Sequence, residues 1–333
     1  MRPGRRIAAA AAIAALAVGV AACGEKEDVV TSSPDERIDL MLDFYVNPDH
    51  AGIYMALDRG FFRRAGLDVQ PRVPSDPSAP VKQVAAGRAD LAVSYEPEVL
   101  LAQEQGLDVI AVAAIVDQPL TSLISLPAAG IEEPADLRGK TIATAGIAYQ
   151  SDYLATILGG AGLTSADVTE VSVGFNLLPA LLGGRADAIL GGFRNVEGVD
   201  LAQRGENPRV VPVNELGVPS YDELVLVAKG SRVSEDPDEL RLFISELAKG
   251  TRAAIADPAA ATRAILAAGE GLDPALTRAE IDATLPLLAR ERGRPFGYMD
   301  GEEWSTFASW MAGNGLISEV PPEEEMFSNE LLP

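Results

Sequence analysis

Short apolar runs alternate with amphipathic segments along most of the chain. Residues 37–44 have the apolar pattern of a strand, whereas residues 51–65 place Ile53, Leu57 and Phe61 on one face of a helix. Similar alternation continues toward the last hundred residues, where the helical period dominates. We therefore predict an α/β protein with mostly parallel strands and a helical C-terminal region.

Two stretches of the chain share one order of elements. Residues 85–112 and 182–213 both contain Gly-Arg-Ala-Asp, then an apolar strand, an aromatic residue, a helix ending in Gln and Gly, and a second strand. Four matching residues could coincide by chance, but the shared order of elements is harder to explain that way. The pattern predicts one α/β unit used twice, once in each of two related lobes.

The two lobes must be connected by the chain. Residues 119–127 and 221–231 are strand-like and bracket the middle segment, so we interpret them as two crossings between lobes. This places residues 37–122 and 224–333 in lobe 1 and residues 123–223 in lobe 2. Two discontinuous lobes joined by two strands form a hinge, and the cleft between their strand ends is where a small molecule would bind.

The N-terminus has the form of a lipoprotein signal peptide. Three arginines precede a short apolar run of small residues that is not long enough for a good transmembrane helix. The run ends in Val-Ala-Ala-Cys-Gly, which resembles a bacterial lipobox, and its cysteine is the only one in the chain. We predict a signal peptide over residues 1–22, lipidation of Cys23 and a flexible tether over residues 23–36. The alternative is an ordinary secreted protein with a free cysteine.

Charge and composition exclude several classes of function. The formal net charge is −22, and without the three arginines of the signal region 24 basic residues face 49 acidic ones. An acidic chain of this kind is a poor partner for nucleic acid. Lipidation of the single cysteine would leave no thiol for disulfides, iron–sulfur clusters or cysteine catalysis. The Walker A, Gly-x-Ser-x-Gly and His-Glu-x-x-His motifs are absent from the sequence.

Polar and aromatic side chains recur where the predicted strands end. An aromatic ring beside an amide or a carboxylate is the common pattern. The ligand-binding candidates are Phe44, Asn47, His50, Tyr95, Glu98, Gln118, Tyr149, Asn176, Phe193, Asn195 and Glu197. Aromatic faces stack on planar rings, and a carboxylate accepts two hydrogen bonds from an amidine-like edge. The set predicts a flat, nitrogen-containing ligand, while Arg194, the one cation in these loops, leaves an anionic group open.

Several stretches carry a resemblance to a known family. They include LDFYVNPDHAGIYMALDRGFFRRAGLDV and VGFNLLPALLGGRADAILGG, with further matches at residues 89–102, 119–126, 217–228 and 296–317. Over nearly all of residues 38–333, and in order, the chain resembles the thiamine-pyrimidine-precursor family. Its bacterial members are ABC-transporter substrate-binding lipoproteins for formylaminopyrimidine or hydroxymethylpyrimidine-like compounds.

This resemblance implies a fold and a role. The fold is the two-lobed periplasmic-binding-protein fold of type II, with two crossover strands and a ligand cleft between the lobes. The role is capture of a small molecule for an ABC permease at the extracytoplasmic face of the cell membrane. We expect a monomer held to the membrane through its lipid alone.

The resemblance also bears on single residues. It favours Glu98, Phe193 and Glu197 among the candidates, and it adds Tyr221, which lies in one of the matching stretches. His50, the only histidine, completes an Asn-x-x-His pattern of the family. We predict that its imidazole either hydrogen-bonds the ligand or fixes the preceding loop against it.

The chain departs from the family at two places. The family commonly has Trp where this chain has Phe44, and often Tyr-Trp-Asn-Trp-Glu where residues 193–197 read Phe-Arg-Asn-Val-Glu. The acid and the amide remain, two tryptophans of that stretch are gone, and a cation appears. The ligand is therefore a thiamine pyrimidine precursor, another aromatic solute or a sulfonate-type solute.

Two further functions stay open beside transport. The fungal relatives are enzymes that make the pyrimidine from pyridoxal phosphate and a histidine of their own chain, which needs a Schiff-base lysine and a nearby histidine. Here the corresponding strand reads LAVSYEPE and has neither. We therefore predict no enzymatic activity, no catalytic residues, no cofactor and no metal. The other function is a binding protein that reports to a sensor, which the sequence does not separate from a transporter.

Overall fold

A computed structural model describes residues 36–288 and 293–333 of the chain. The predicted signal peptide, the lipidation site Cys23 and the tether up to residue 35 lie outside these residues. Across the described ranges, no helix is long and apolar enough to cross a membrane.

Strands and helices alternate along the first two thirds of the described chain, and helices dominate the last third. The strands are β1 Glu36–Met41, β2 Leu67–Arg72, β3 Leu91–Ser94, β4 Ile110–Val116, β5 Thr121–Ser125, β6 Thr141–Thr144, β7 Thr169–Ser172, β8 Ala188–Phe193, β9 Arg209–Pro212 and β10 Leu224–Ala228. The helices are α1 Ala51–Asp58, α2 Phe61–Arg64, α3 Pro80–Ala85, α4 Glu96–Glu104, α5 Ala148–Gly160, α6 Leu177–Leu182, α7 Glu197–Gln203, α8 Gly230–Glu235, α9 Pro237–Ala256, α10 Pro258–Ala268, α11 Pro274–Thr284, α12 Gly301–Gly313 and α13 Glu323–Met326.

The strands of the described chain form two sheets with the same plan. Their orders are β2-β1-β3-β10-β4 and β7-β6-β8-β5-β9. In each sheet one strand, β10 or β5, runs antiparallel to both of its neighbours, and the other four share one direction. The predicted α/β class, the two lobes and the largely parallel strands are thus confirmed.

The antiparallel strand of each sheet, β10 or β5, is connected along the chain to a strand of the other sheet. β4 of the first sheet leads directly into β5 of the second, and β9 of the second sheet leads back to β10 of the first. The central parts of residues 119–127 and 221–231 are therefore β5 and β10, inside the sheets, and the connecting segments are residues 117–120 and 213–223. The lobe boundaries proposed from the sequence stay a prediction.

The Gly-Arg-Ala-Asp repeat has the same structural role in both sheets. The Asp90 carboxylate accepts the backbone N–H of Asp39 in β1 at 2.8 Å, and its own N–H donates to the Asp39 carbonyl at 2.9 Å. Asp187 makes the same pair of bonds to Thr141 in β6, both at 2.8 Å. Each aspartate thereby ties the start of its strand to the neighbouring strand of the sheet.

A buried carboxylate joins the two connecting segments. Glu223, at the end of the second segment, accepts the backbone N–H groups of Leu120 and Thr121 in the first, each at 2.7 Å. The hydroxyl of Tyr221 donates to the same carboxylate at 2.9 Å. These bonds satisfy a carboxylate that is removed from water, and they hold the two segments of the predicted hinge together.

Helix α9 packs closely on α1 of the first lobe. Gly250 in α9 faces Gly52 in α1, and a Cβ atom at Gly250 would overlap the Gly52 carbonyl and approach the backbone nitrogen of Ala56 to 2.9 Å. The small residues therefore let the two backbones come together. Helices α10 and α11 follow α9, and α11 reaches α7 of the second lobe.

Candidate ligand-binding site

A cavity of about 480 Å³, including its open part, lies where the strands of the two sheets end. Residues after β1 and β3 contribute one side, and residues after β6 and at the end of β8 contribute the other. Its lining comprises Asp43, Phe44, Asn47, Pro77, Tyr95, Thr121, Ala145, Ile147, Tyr149, Gln150, Leu177, Gly191, Phe193, Val196 and Glu197. Strand ends of facing α/β sheets are where such proteins hold small ligands.

Half of the candidates from the sequence line this cavity. They are Phe44, Asn47, Tyr95, Tyr149, Phe193 and Glu197. The others, which lie outside the lining, are His50, Glu98, Gln118, Asn176, Asn195 and Tyr221. The lining also includes polar residues that were not among the candidates, namely Asp43, Thr121 and Gln150.

Asp43 is the polar centre of the first-lobe side. Its carboxylate is 1% exposed and takes one hydrogen bond on each oxygen, from His50 Nε2 at 2.7 Å and from the Tyr95 hydroxyl at 2.9 Å. The position of Asp43 directly after an apolar strand was the available signal for it, because carboxyl ends of strands converge on such clefts.

His50 supports the cavity from behind. The backbone N–H of Asn47 donates to His50 Nδ1 at 3.3 Å, so the ring proton is on Nε2 and donates to Asp43. The Asn47 side chain in turn accepts the backbone N–H of Asp49 at 2.8 Å. The histidine is thus bonded to the loop after β1 and is 1% exposed. Its predicted role toward the ligand stays a prediction.

Three aromatic rings come together across the cavity. Tyr95 of the first lobe meets Tyr149 and Phe193 of the second edge to face, with ring centroids 6.3 Å and 6.4 Å apart. Nearer the rim, the ring of Phe44 contacts Phe175 of the second lobe at 4.6 Å. Aromatic walls of this kind offer faces for a planar ligand.

Two candidate acids occupy different surroundings. Glu197 lines the cavity, and its carboxylate accepts the backbone N–H of Phe193 at 2.7 Å, while burial raises its pKa. Glu98 lies outside the lining, where the Ser94 hydroxyl donates to it at 2.9 Å and burial raises its pKa to about 7. Asp43 and Glu197 are therefore the carboxylates that reach the cavity from its two sides.

Gln150 completes the polar edge on the second-lobe side. Its side-chain oxygen accepts the backbone N–H of Ala145 at 2.9 Å, which holds the amide in the loop after β6. Gly191, in the left-handed region with φ +111°, lies so close to this amide that a Cβ atom would collide with it. The local pattern of apolar positions does not point to Gln150, because this residue lies inside helix α5 and not in a strand-end loop.

Cations are absent from the cavity lining among the residues that the structure describes. The guanidinium of Arg194 is turned to the first connecting segment, where it donates to Gln118 at 2.8 Å. Two of the other candidates outside the lining make hydrogen bonds to residues near them in the chain. Asn176 donates to the carbonyl of Val173 at 3.3 Å, and Tyr221 donates to Glu223. The surroundings of the cavity are thus acidic.

Comparison with known proteins shows the family of the chain. The model of the family described as NMT1/THI5 like matches residues 47–261. The chain belongs to the NMT1/THI5-like family. The match runs from Asn47 through the second lobe and includes most of the cavity lining.

The relatives of this chain include a protein named as a binding protein and proteins named as synthases. The chain is 35% identical over 286 residues to a putative thiamine biosynthesis protein of Haemophilus influenzae, covering 86% of this chain and 89% of the relative. It is 32% identical over 305 residues to the formylaminopyrimidine-binding protein of Halalkalibacterium halodurans, covering 90% and 92%. A 4-amino-5-hydroxymethyl-2-methylpyrimidine phosphate synthase of Aspergillus parasiticus is 28% identical over 239 residues, covering 68% and 69%.

A solved structure confirms the fold. The alkanesulfonate-binding protein SsuA of Xanthomonas axonopodis pv. citri, bound to MOPS, superposes with a TM-score of 0.68 at 16% identity. The superposition covers 88% of this chain and 96% of the other. The two-lobed periplasmic-binding-protein fold implied by the resemblance is therefore shown, and identity this low carries the fold alone.

Proposed function

We propose that the protein is the substrate-binding component of an ABC importer and that it captures a thiamine pyrimidine precursor. The observation that carries this proposal is the cavity between the lobes, with aromatic rings and two carboxylates in its lining. The family and the name of the formylaminopyrimidine-binding relative support the same ligand class.

The lining suits the chemistry of an aminopyrimidine. The rings of Tyr95, Tyr149 and Phe193 can enclose its flat faces. A ring nitrogen that carries a proton beside an exocyclic amine presents two donors, which the carboxylate of Glu197 can accept together. Asp43 already receives donors from His50 and Tyr95, so it contributes negative charge more than free lone pairs.

A sulfonate-type solute is the second candidate because the SsuA structure is bound to MOPS. An anion would enter a cavity that contains two carboxylates, with the cation Arg194 directed elsewhere. Burial of an unpaired anion is strongly unfavourable. The lining therefore favours a neutral or cationic ligand over a sulfonate.

We propose a transport role without catalysis, although fungal members are named as synthases. The lysines of the described chain lie outside the cavity lining. His50 is buried and its two ring nitrogens face Asp43 and Asn47, so it is not presented to a substrate. A synthase would release a pyrimidine product from pyridoxal phosphate during incubation, and mass spectrometry of such an incubation tests this point.

The lipid anchor is part of the proposal. Cys23 would hold a monomeric chain at the extracytoplasmic face of the cell membrane, and two lobes would present the ligand to a permease. Expression of Cys23→Ala in the native host should release the protein from the membrane fraction. Unchanged membrane association would contradict lipidation.

Calorimetric titration tests the ligand. Wild type should bind formylaminopyrimidine and should not bind MOPS at the same concentrations. Glu197→Gln should weaken binding by roughly 1.5–3 kcal/mol, because a hydrogen bond to a charged group is lost. Glu98→Gln is the matched control, since Glu98 lies outside the lining, and its affinity should stay near that of wild type. Binding of MOPS in place of the pyrimidine would overturn the proposed ligand class.

A further inference from the structure

Asn195 makes a contact between the two lobes. It follows β8 of the second sheet and is 2% exposed. Its Nδ2 donates to Asp49 Oδ1 at 2.7 Å and to Thr284 Oγ1 at 2.8 Å. Asp49 follows β1 of the first sheet, and Thr284 ends α11, which belongs to the helices that follow α9 on the first lobe. Both amide hydrogens are therefore used across the lobes.

The contact lies directly behind the ligand cavity. Neither Asn195 nor its two partners line the cavity, whereas Asn47, Val196 and Glu197 beside them do. We infer that Asn195 is a positioning residue, a latch that stabilises the closed lobes and thereby sets ligand affinity without touching the ligand. This inference rests on the proposed binding function.

The energetics of Asp49 support a latch that acts only in the closed protein. Burial beside the carboxylates of Asp43, Glu197 and Glu223 raises the pKa of Asp49, and the Asn195 amide is the group that opposes this effect. Asp49 Oδ2 has no hydrogen-bond partner in the described structure. Loss of the Asn195 amide would thus leave a buried carboxyl with no side-chain donor in the closed form, whereas in an open form water would solvate it.

A ligand binds more weakly when its binding-competent conformation is less populated. The latch therefore predicts a change in affinity that is the same for every ligand. A residue that reads the ligand would instead change the ratio of affinities between related ligands. This difference separates the two roles.

The test uses Asn195→Ala in the full chain, with Asn176→Ala as the matched control. Asn176 is also an amide of a second-lobe loop, but it is exposed and bonds within its own loop. For Asn195→Ala, the Kd for formylaminopyrimidine and for hydroxymethylpyrimidine should each rise about ten- to a hundredfold, with their ratio unchanged. Asn176→Ala should leave both values near those of wild type. A tenfold change in the ratio would assign Asn195 to the ligand, and an unchanged Kd would overturn the latch.

A second variant and a ligand-independent measurement complete the test. Thr284→Val removes one acceptor of the latch from the first lobe. It should raise the Kd for formylaminopyrimidine and the Kd for hydroxymethylpyrimidine by the same factor. Spin labels on the two lobes should show a larger open fraction in ligand-free Asn195→Ala than in wild type. If wild type binds no pyrimidine, the proposed function is wrong, but the distances between the spin labels still test the latch. Equal distances in wild type and Asn195→Ala would overturn the latch.

Discussion

The single histidine of the chain is a structural support for a carboxylate. His50 receives the N–H of Asn47 on one ring nitrogen and donates to Asp43 with the other, and its side chain is almost completely buried. The neutral imidazole therefore carries a proton at a defined atom, and Asp43 keeps a fixed orientation at the cavity wall. Because His50 lies outside the lining, it acts on the ligand through Asp43 and through the loop of Asn47.

Replacement of His50 should affect stability and binding together. In His50→Ala, Asp43 loses its shortest hydrogen bond and keeps only Tyr95, in a position away from water. We expect a loss of about 1–3 kcal/mol in the free energy of unfolding and a loss of more than about 1 kcal/mol in ligand binding. Urea unfolding and calorimetry of the same preparation measure both effects.

A double-mutant cycle supplies the control. Asp43→Asn removes the charge that His50 supports. The sum of the stability losses of His50→Ala and Asp43→Asn should therefore exceed the loss of the double variant. Additive losses would show that the imidazole and the carboxylate do not stabilise each other.

Residues of the cavity lining could be predicted from the sequence where position along a strand decides which side chains reach the cavity. Phe44, Tyr95 and Phe193 lie at or just after strand ends, and strand ends converge on one cleft in this class of fold. Gln150 enters the cavity from a helix, and Asn195 is turned to the other lobe. Both depend on how distant segments pack, which the local pattern of apolar positions does not encode.

At the scale of elements, the repeated unit was predictable and the crossings were only partly so. The shared order of elements around Gly-Arg-Ala-Asp corresponds to β3-α4-β4 and β8-α7-β9, and its aspartates bond equivalent strands. The sequence predicted that two strand-like segments cross between the lobes. In the structure, the strands of these segments, β5 and β10, are members of the sheets, and the residues that precede each strand make the connection. A short apolar run looks the same whether it joins a sheet or leads to one.

The contact between α1 and α9 should be sensitive to a single methyl group. A Cβ at position 250 would overlap the Gly52 carbonyl, with the backbone of Ala56 also within reach, so the helices would have to separate. We expect Gly250→Ala to lower the free energy of unfolding by about 1–3 kcal/mol, the usual cost of overpacking. Thermal or urea unfolding measures the change.

Gly159→Ala is the matched control for this substitution. Gly159 is also inside a helix, α5, but a Cβ there would meet no atom within 4 Å. Alanine is the better helix former, so this variant should be neutral or more stable by up to about 1 kcal/mol. Equal effects of the two variants would show that helix propensity, and not the α1–α9 approach, governs position 250.

The whole molecule is acidic, and many of its carboxyl groups are buried. The net charge is −22, and burial raises the pKa of Glu98 to about 7 and the pKa values of Asp222 and Glu280 to about 8. Asp222 nevertheless accepts the indole N–H of Trp304 at 2.7 Å. Such groups hold protons in the folded chain at pH values where the unfolded chain has released them.

Stability should therefore fall as pH rises from about 5 to 8. A carboxyl with a raised pKa binds more protons in the folded state throughout the window between its ordinary value and its raised value, and the free energy of unfolding decreases with pH across that window. Partly exposed carboxyls such as Asp136 and Asp167, whose pKa values are lowered by backbone N–H donors, act in the opposite direction below their ordinary range. Urea unfolding of the ligand-free protein at pH 5, 6.5 and 8 should give the highest stability at pH 5.

Asp222→Asn should flatten the dependence of stability on pH, because an amide keeps an acceptor for Trp304 and carries no charge at pH 8. Asp136→Asn, the control, should not flatten it. A free energy of unfolding that increases between pH 5 and pH 8 would contradict the burial of these acids as protonated groups.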